Sequence, residues 1–295
     1  MKPTKLQYWL LGTFAVLIAL TILVCGTHIQ NNSSLIGMGN ITSERSDELE
    51  KMLIPISDVS SSDTLLDISQ NPTKHINGSV VIPYTMFILG GGLLKPVPEI
   101  AQILGDAGIS REDRVVVYGE CMVCGGGPAP ATYVYWIMKC LGHKDIRVLN
   151  GTADDWAAAG GPISNKSAIR PISNYTTNFT TDLIATYEFV KSNKSQIVDA
   201  RLPEEFETGT IPGAINLPYD NVLDGHRIKN ETGLGKAFIN LSKDRPVVVF
   251  TDTGVKASVV WFALELMGYD ARLYSWQDWL NNQALENSAT SQSIS

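Results

Sequence analysis

The sequence predicts an α/β protein in which two similar units follow an apolar N-terminal segment, each unit being a mainly parallel sheet flanked by helices. Short apolar runs alternate with helical runs of about ten to twelve residues, which is typical of βα units. The same order of signals occurs twice, more than 100 residues apart, which indicates a duplicated domain. A long run without charge covers residues 6–26 and indicates a membrane segment.

Composition excludes some classes of protein. The 295 residues carry 23 Lys and Arg against 30 Asp and Glu, a formal net charge of −7. An acidic chain has no general attraction for phosphate backbones, so we expect no nucleic-acid partner. Hydrophobic residues make up 44% and charged residues 18%, which excludes wholesale disorder. At roughly 150 residues per domain, the length allows two domains.

The N-terminal run has about the length that a helix needs to cross a hydrocarbon core. Lys2 and Lys5 precede it, which favours a cytoplasmic N-terminus and places the bulk of the chain outside the cytoplasm. A cleaved secretory signal is one alternative, although no Ala-x-Ala site follows the run. A lipoprotein anchor at Cys25 is another, although Val24 disfavours it. We therefore expect a single-pass membrane protein anchored through residues 6–26.

Asparagine usage independently supports an exported chain. Eleven asparagines begin an Asn-x-Ser/Thr acceptor, and none has proline in the middle position. Such acceptors mark surface positions of glycosylated proteins. In the two predicted domains and the linker, the expected glycosylation sites are Asn77, Asn150, Asn165, Asn174, Asn178, Asn193, Asn230 and Asn240.

The order of segments along the chain follows from these patterns. We expect a cytoplasmic start and anchor at 1–27 and a stalk rich in Ser, Asn and Gly at 28–58. The first domain covers 59–165, a linker 166–180 and the second domain 181–283. A disordered tail is expected at 284–295.

Each unit has the same predicted elements. The first has a strand at 113–118, a helix at 132–141, a strand at 146–149 and a helix that carries Asp155 and Trp156. The second has a strand at 244–250, a helix at 255–267, a strand at 271–274 and a helix that carries Asp278 and Trp279. A Gly-x pair ends the first helix of each unit, at Gly142 and Gly268.

Residues 199–218 read DARLPEEFETGTIPGAINLP, with Asp199, Arg201 and Gly213 at its fixed points. Together with the strand, loop and helix around residues 254–257, this segment resembles the signature of rhodanese-like domains. The resemblance covers both halves, roughly 55–165 and 175–283, and the tandem arrangement resembles thiosulfate sulfurtransferases. It implies a small sulfur donor such as thiosulfate or polysulfide, a thiol acceptor, and no cofactor or metal.

The family's active site is a loop whose first residue is a cysteine that carries sulfur as a persulfide. In tandem members this cysteine usually follows the central strand of the second domain. Here that position is Thr251, and the loop continues as Asp252, Thr253, Gly254, Val255 and Lys256. A threonine hydroxyl cannot hold a persulfide, and Thr210 stands where the family commonly has histidine. We therefore expect the second domain to be catalytically degenerate.

The first domain has thiols in the corresponding loop. Tyr118 to Gly142 spans 24 residues whereas Phe250 to Gly268 spans 18, so the first loop is six residues longer. Cys124 lies 18 residues before Gly142, and Thr251 lies 17 before its own glycine. This predicts Cys124 as the nucleophile. Cys121 is placed to resolve or shield it, and three glycines turn their N–H groups toward the sulfur, namely Gly125, Gly126 and Gly127.

Other interpretations of the two cysteines remain open. Outside a cell they can form a structural disulfide, although a bond between Cys121 and Cys124 closes a small loop. A metal site normally needs four ligands, and His75 and His143 are the only further candidates. The favoured function is a membrane-anchored extracytoplasmic sulfurtransferase that forms a persulfide in its first domain. The alternatives are an inactive surface binding module and a Cys-x-x-Cys thiol–disulfide oxidoreductase.

Overall fold

The structure is a computed structural model that describes residues 52–121 and 127–293 of the chain. The strands in these ranges are β1 (Leu53–Ile54), β2 (Thr64–Asp67), β3 (His75–Ile76), β4 (Val80–Val81), β5 (Arg114–Tyr118), β6 (Asp145–Leu149), β7 (Ile163–Ser164), β8 (Gln196–Asp199), β9 (Ile215–Asn216), β10 (Leu223–Asp224), β11 (Arg227–Ile228), β12 (Val247–Thr251) and β13 (Ala271–Ser275). The α-helices are α1 (Val97–Asp106), α2 (Ala129–Cys140), α3 (Ala153–Ala158), α4 (Tyr187–Lys191), α5 (Pro203–Glu207), α6 (Glu231–Ala237), α7 (Val255–Leu266) and α8 (Trp276–Ser293).

Two parallel sheets form the framework. The first has the strand order β1-β6-β5-β2-β4 and the second the order β13-β12-β8-β9. Every neighbouring pair within them is parallel. Parallel strands covered on both faces are continuous apolar runs, and residues 115–117 and 247–249 are all buried valines. The expected α/β class with parallel sheets flanked by helices is confirmed.

The long helices α2 and α7 join the two halves. Both are buried on nearly all sides, as expected for helices that are apolar all round. The hydroxyl oxygens of Thr132 and Ser258 lie 2.8 Å apart across the contact, and the rings of Tyr135 and Phe262 meet edge to face at 5.0 Å. One apolar core therefore extends through both sheets. Helix α2 begins three residues earlier than expected because Pro130 fits in a first helical turn.

Two expected boundaries change. Strand β1 pairs with β6 inside the range 28–58 that we assigned to the stalk, so the first sheet begins at Leu53. The tail expected to be disordered from 284 is helical to Ser293, because α8 continues through it and packs on α4. Gln283 donates to the Tyr187 hydroxyl at 2.7 Å, and Lys191 pairs with Glu286 at 2.6 Å.

Several sequence-based expectations lie outside the described residues. These are the anchor at 6–26, the stalk up to residue 51, and the loop positions Cys124, Gly125 and Gly126. Within residues 52–121 and 127–293, no helix combines the length and the apolar character that a membrane crossing requires.

Candidate functional site

Two strand-to-helix loops occupy equivalent places in the two halves. Tyr118 at the end of β5 lies opposite Asp67, and Phe250 in β12 lies opposite Asp199. Ten residues then separate Tyr118 from the start of α2, whereas four separate Phe250 from the start of α7. The strand register therefore confirms that the first loop, residues 119–128, is six residues longer than the second, residues 251–254.

The second-domain loop is short and tightly closed. Thr251 is only 4% exposed, and its hydroxyl accepts the N–H of Gly254 at 3.1 Å. Gly254 has φ +78°, a left-handed conformation that glycine adopts without strain. A Cβ on Gly92 would lie 2.9 Å from the methyl carbon of Thr253, so the loop packs closely against the first domain. No thiol is present in the loop, and Lys256 directs its ammonium to the Tyr219 ring at 4.6 Å.

The signature residues of the second domain form a buried support for this loop. Asp199 is fully buried and accepts both Nε and Nη2 of Arg201, at 3.0 and 2.6 Å. Thr210 also donates to Asp199, at 2.8 Å, in the position where the sequence suggested a missing histidine. The guanidinium of Arg201 covers the Trp276 ring at 4.5 Å and lies 3.7 Å from Asp252.

Gly213 has φ +82°, a left-handed conformation that glycine adopts without strain, which explains why the signature segment has a glycine at this position. Burial raises the pKa of Asp252, and the nearby Arg201 offsets this only in part. Asp199, Arg201 and Gly213 therefore hold the backbone around the loop in place.

The first domain supports its loop differently. Asp67 and His75 are both buried, and the His75 Nδ1 lies 2.9 Å from the Asp67 carboxylate. Ser69 takes the place of Arg201, and its hydroxyl accepts the N–H of Glu120 at 3.2 Å. The first half therefore has the histidine that Thr210 replaces in the second half. Matching residues 75–79 with residues 210–214 in the sequence places His75 opposite Thr210, but it does not predict the contact between Asp67 and His75.

The described part of the first-domain loop contains one of its two cysteines. Cys121 is fully buried and disulfide-bonded, and its partner lies outside the described residues. The Tyr84 hydroxyl donates to the Cys121 sulfur at 3.6 Å. Gly119 has φ +145°, and a Cβ there would lie 2.6 Å from the backbone nitrogen of Ser69. Gly127 also has a positive φ of +82°.

A hairpin of the second domain reaches this loop. A Cβ on Gly127 would lie 3.3 Å from a methyl carbon of Leu223 in β10. At the tip of the hairpin, His226 Nε2 lies 3.0 Å from Asp155 and Arg227 Nη2 lies 2.7 Å from it. Sequence spacing contains no signal for this contact, because it joins residues more than 70 positions apart.

The remaining expected sites are distributed over the surface. Of the eight acceptor asparagines between residues 77 and 240, seven are exposed and Asn150 is partly buried. In the part of the chain that the structure describes, no three His, Cys, Asp or Glu side chains are grouped to hold a metal ion. Cys140 is a buried free thiol whose pKa is raised to about 12 by burial, so it is unreactive at neutral pH.

Comparison with known proteins identifies the family. Residues 185–282 match the family described as Rhodanese-like domain. A putative thiosulfate sulfurtransferase of Mycobacterium leprae is 30% identical over 195 residues, which cover 58% of this chain and 68% of the relative. The chain therefore belongs to the rhodanese-like family of sulfurtransferases.

Solved structures show the same fold. SseA of Escherichia coli, described as a 3-mercaptopyruvate sulfotransferase, superposes with a TM-score of 0.65 at 20% identity, covering 77% of this chain and 99% of SseA. A persulfide form of EanB with ergothioneine superposes with a TM-score of 0.71 at 20% identity, covering 80% of this chain and 70% of EanB. These likenesses extend the family's fold over both halves of the chain.

Proposed function

We propose that this chain is a sulfurtransferase whose nucleophile is Cys124 in the first domain, with a catalytically silent second domain. The comparison of the two loops carries this proposal. The second loop has Thr251 at the end of its strand and no thiol, whereas the equivalent first loop contains two cysteines. Its extra six residues bring Cys124 within one position of the Thr251 place when both are counted from their helices.

The chemistry follows from a thiolate at that position. The Cys124 thiolate attacks the outer sulfur of thiosulfate, the S–S bond of the donor breaks, and sulfite leaves with the bonding electron pair. The product is an anionic persulfide, which backbone N–H groups of residues 125–127 stabilise. A polysulfide reacts in the same way, with a shorter polysulfide as the leaving group. An acceptor thiolate or cyanide then takes the terminal sulfur and restores the Cys124 thiolate.

Cys121 provides a second way to discharge the persulfide. Its thiolate attacks Cys124 Sγ, hydrosulfide leaves after taking up one proton, and a Cys121–Cys124 disulfide forms. The three-residue spacing of Cys121 and Cys124 supports this role. An external dithiol must then reduce the pair, so the oxidised protein is expected to be inactive until it is reduced.

Cyanide-dependent thiocyanate formation by the full chain in detergent tests the proposal, after phosphine reduction and desalting. We expect Cys124→Ser to abolish activity. Cys121→Ser should retain a persulfide on Cys124, which adds about 32 Da to the protein after thiosulfate treatment. Cys140→Ser is the matched control and should keep full activity because this thiol is buried. Full activity in Cys124→Ser would contradict the assignment.

The Cys-x-x-Cys spacing of Cys121 and Cys124 also favours a second candidate, a thiol–disulfide oxidoreductase. Insulin reduction coupled to dithiothreitol separates the two functions. An oxidoreductase accelerates insulin reduction and acquires no sulfur from thiosulfate, whereas the proposed sulfurtransferase acquires it on Cys124.

We further propose that residues 6–26 anchor the protein in a membrane and that both domains lie outside the cytoplasm. The exposure of seven acceptor asparagines supports this location, because attached glycans need surface positions. The donor is then thiosulfate or a polysulfide of that compartment, and the acceptor is a thiol.

A further inference from the structure

A cavity opens beside the thiol-free loop of the second domain. Its volume of about 580 Å³ lies within the roughly 300–1,000 Å³ that is typical of small-molecule sites. Residues 92–94 and helix α2 of the first half form one side. The loop residues Thr253 and Gly254, the end of β13 and the start of α8 form the other. The sulfur transfer proposed at the first-domain loop makes no use of this cavity.

Aromatic side chains form much of the cavity wall. Tyr133 and Trp136 lie on α2, with their rings stacked at a centroid distance of 5.9 Å and an interplanar angle of 17°. Tyr187 of α4 and Tyr274 of β13 line the cavity as well. All four residues are buried. Such a wall suits a planar apolar molecule, and aromatic rings also attract cations.

The hydroxyl of Tyr133 is left without a partner. The residue is 2% exposed, yet its hydroxyl makes no hydrogen bond within the part of the chain that the structure describes. A Cβ on Gly254 would lie 3.6 Å from its ring carbon Cε2, so the edge of the ring faces the thiol-free loop. Burial raises the pKa of Tyr133, which keeps the hydroxyl protonated at neutral pH. Because an unpaired buried hydroxyl is costly, a molecule in the cavity that pairs with it gains affinity.

The cavity carries one negative charge and no positive one. Among the described residues that line it, none is Lys, Arg or His, and Asp278 alone is charged. The exposed Asp278 carboxylate accepts the Tyr274 hydroxyl at 2.7 Å and has no ion pair in the described ranges. Asp155, which has the equivalent place in the first half, is instead paired with His226 and Arg227. The charge of Asp278 therefore remains available to a cation.

A polar rim surrounds this carboxylate on α8. Gln277 donates to the Asn281 side chain at 3.0 Å, and Asn282 donates to the Asp278 carbonyl at 2.8 Å. These amides carry no charge that competes with a ligand for Asp278. A carboxylate without a neighbouring cation repels a dianion such as thiosulfate, so the cavity does not suit an anionic sulfur donor.

We propose that this cavity binds a small aromatic amine in its ammonium form. The aromatic ring of the ligand lies against Tyr133, Trp136 and Tyr187, and its ammonium group pairs with Asp278. A ring N–H or ring hydroxyl of the ligand pairs with the Tyr133 hydroxyl. This binding goes beyond the proposed sulfur transfer and does not depend on it. The loop that lacks a thiol then serves as a wall of a ligand site.

Isothermal titration calorimetry of the full chain in detergent tests this proposal with three probes. Tryptamine, skatole and indoleacetate share the indole ring and are cationic, neutral and anionic, respectively. Heats measured with detergent alone are subtracted. We expect tryptamine to bind about tenfold more tightly than skatole, because ion pairing and cation–π attraction both favour the ammonium group. Indoleacetate should bind most weakly.

Two substitutions separate the two polar contacts. Asp278→Asn keeps an acceptor for the Tyr274 hydroxyl and should make tryptamine and skatole bind equally well. Tyr133→Phe should weaken both probes about fivefold without changing the preference between them, because one hydrogen bond is lost. Its melting temperature should not fall, since the hydroxyl has no partner to lose. The control Asp106→Asn removes an exposed carboxylate on α1 that does not line the cavity, and it should leave all affinities unchanged.

Three outcomes overturn the proposal: no binding of tryptamine to the wild-type chain at millimolar concentration, a preference for tryptamine that survives in Asp278→Asn, or equal affinities of Tyr133→Phe and wild type. A lower melting temperature of Asp278→Asn with an unchanged preference would show a structural role alone and overturns it too. Cys124-dependent thiocyanate formation is measured in parallel and should be equal in Asp278→Asn and wild type. Its absence from the wild type contradicts the proposed function and leaves the binding result valid.

Discussion

Glu120 joins the two ends of the first-domain loop. Its N–H donates to the Ser69 hydroxyl, and its carboxylate accepts the N–H of Gly127. The side chain is half-buried, and burial raises its pKa, with His226 and the Gly127 N–H opposing the shift. The ionised carboxylate is thus held in a place that favours the neutral form, which lowers the stability of the folded state at neutral pH.

Glu120→Gln should therefore stabilise the protein at pH 7. The glutamine oxygen still accepts the Gly127 N–H, and no charge has to be buried. Because the folded pKa lies above the unfolded value, the wild-type penalty is complete above the folded pKa and disappears as the pH falls below the unfolded value, about 4.3. Urea unfolding should show a higher midpoint for the variant at pH 7 and equal midpoints near pH 3.5. A variant that is less stable at both pH values would contradict this account.

At the scale of elements, the contact between α2 and α7 is the main connection between the two sheets. Thr132 and Ser258 are fully buried at the crossing, and the carbonyl oxygen of Ala129 lies 3.0 Å from the Thr132 hydroxyl and 3.1 Å from the Ser258 hydroxyl. They occupy the same helical position, four residues after Pro128 and Gly254. Each side chain satisfies a polar group of the other half, so the pair acts as one unit.

A double-mutant cycle should reveal this coupling. We expect Thr132→Val and Ser258→Ala each to lower the free energy of unfolding by about 1–2 kcal/mol, with a coupling of about 1 kcal/mol between them. Ser288→Ala is the matched control, because its exposed hydroxyl bonds only to a carbonyl of its own helix. Combined with Thr132→Val, it should show additive effects. Additivity between Thr132 and Ser258 would show that the hydrogen bond contributes nothing to joining the halves.

Elements with a strong apolar pattern were predictable from the sequence, and those fixed by tertiary contacts were not. Residues 115–117 and 247–249 are continuous apolar runs, and the central helices follow them at fixed spacing. Strand β1 has two residues and no periodicity, so only its pairing with β6 defines it. The end of α8 is polar, and its contacts with α4 explain its helical form.

The same distinction applies to the candidate site. The absence of a thiol at Thr251 and the greater length of the first loop follow from residue identities and spacings, so the sequence was sufficient to find them. The hairpin contact with Asp155 depends on how α7 packs on α2, which places a segment more than 70 residues distant beside the loop. A contact between two domains therefore cannot be predicted from the motif of either domain alone.

At the scale of the whole molecule, surface asparagines surround both domains. Acceptors occur at Asn77 and Asn165 in the first half, at Asn174 and Asn178 in the linker, and in the second half at Asn193, Asn230 and Asn240. All of these are exposed, whereas Asn150, at the end of β6, is partly buried. A chain of net charge −7 with only 18% charged residues has few charges with which to solvate its surface. Glycans at these positions would add that solvation.

This arrangement predicts a glycosylated, outward-facing protein in the native membrane. The purified chain should exceed its polypeptide mass of 32.1 kDa, and chemical deglycosylation should return it to that mass. Peptide mapping should find Asn165 modified to a greater extent than Asn150, because an exposed acceptor is accessible to the transferase. Asn165→Gln should remove one glycan without changing the melting temperature by more than a degree or two, since surface substitutions alter stability by roughly 0.5 kcal/mol or less.

Protease added to intact cells should degrade both domains. An unmodified chain that protease reaches only after lysis would place the domains inside the cell, and Cys121 and Cys124 would then work in a reducing compartment, where a disulfide is transient.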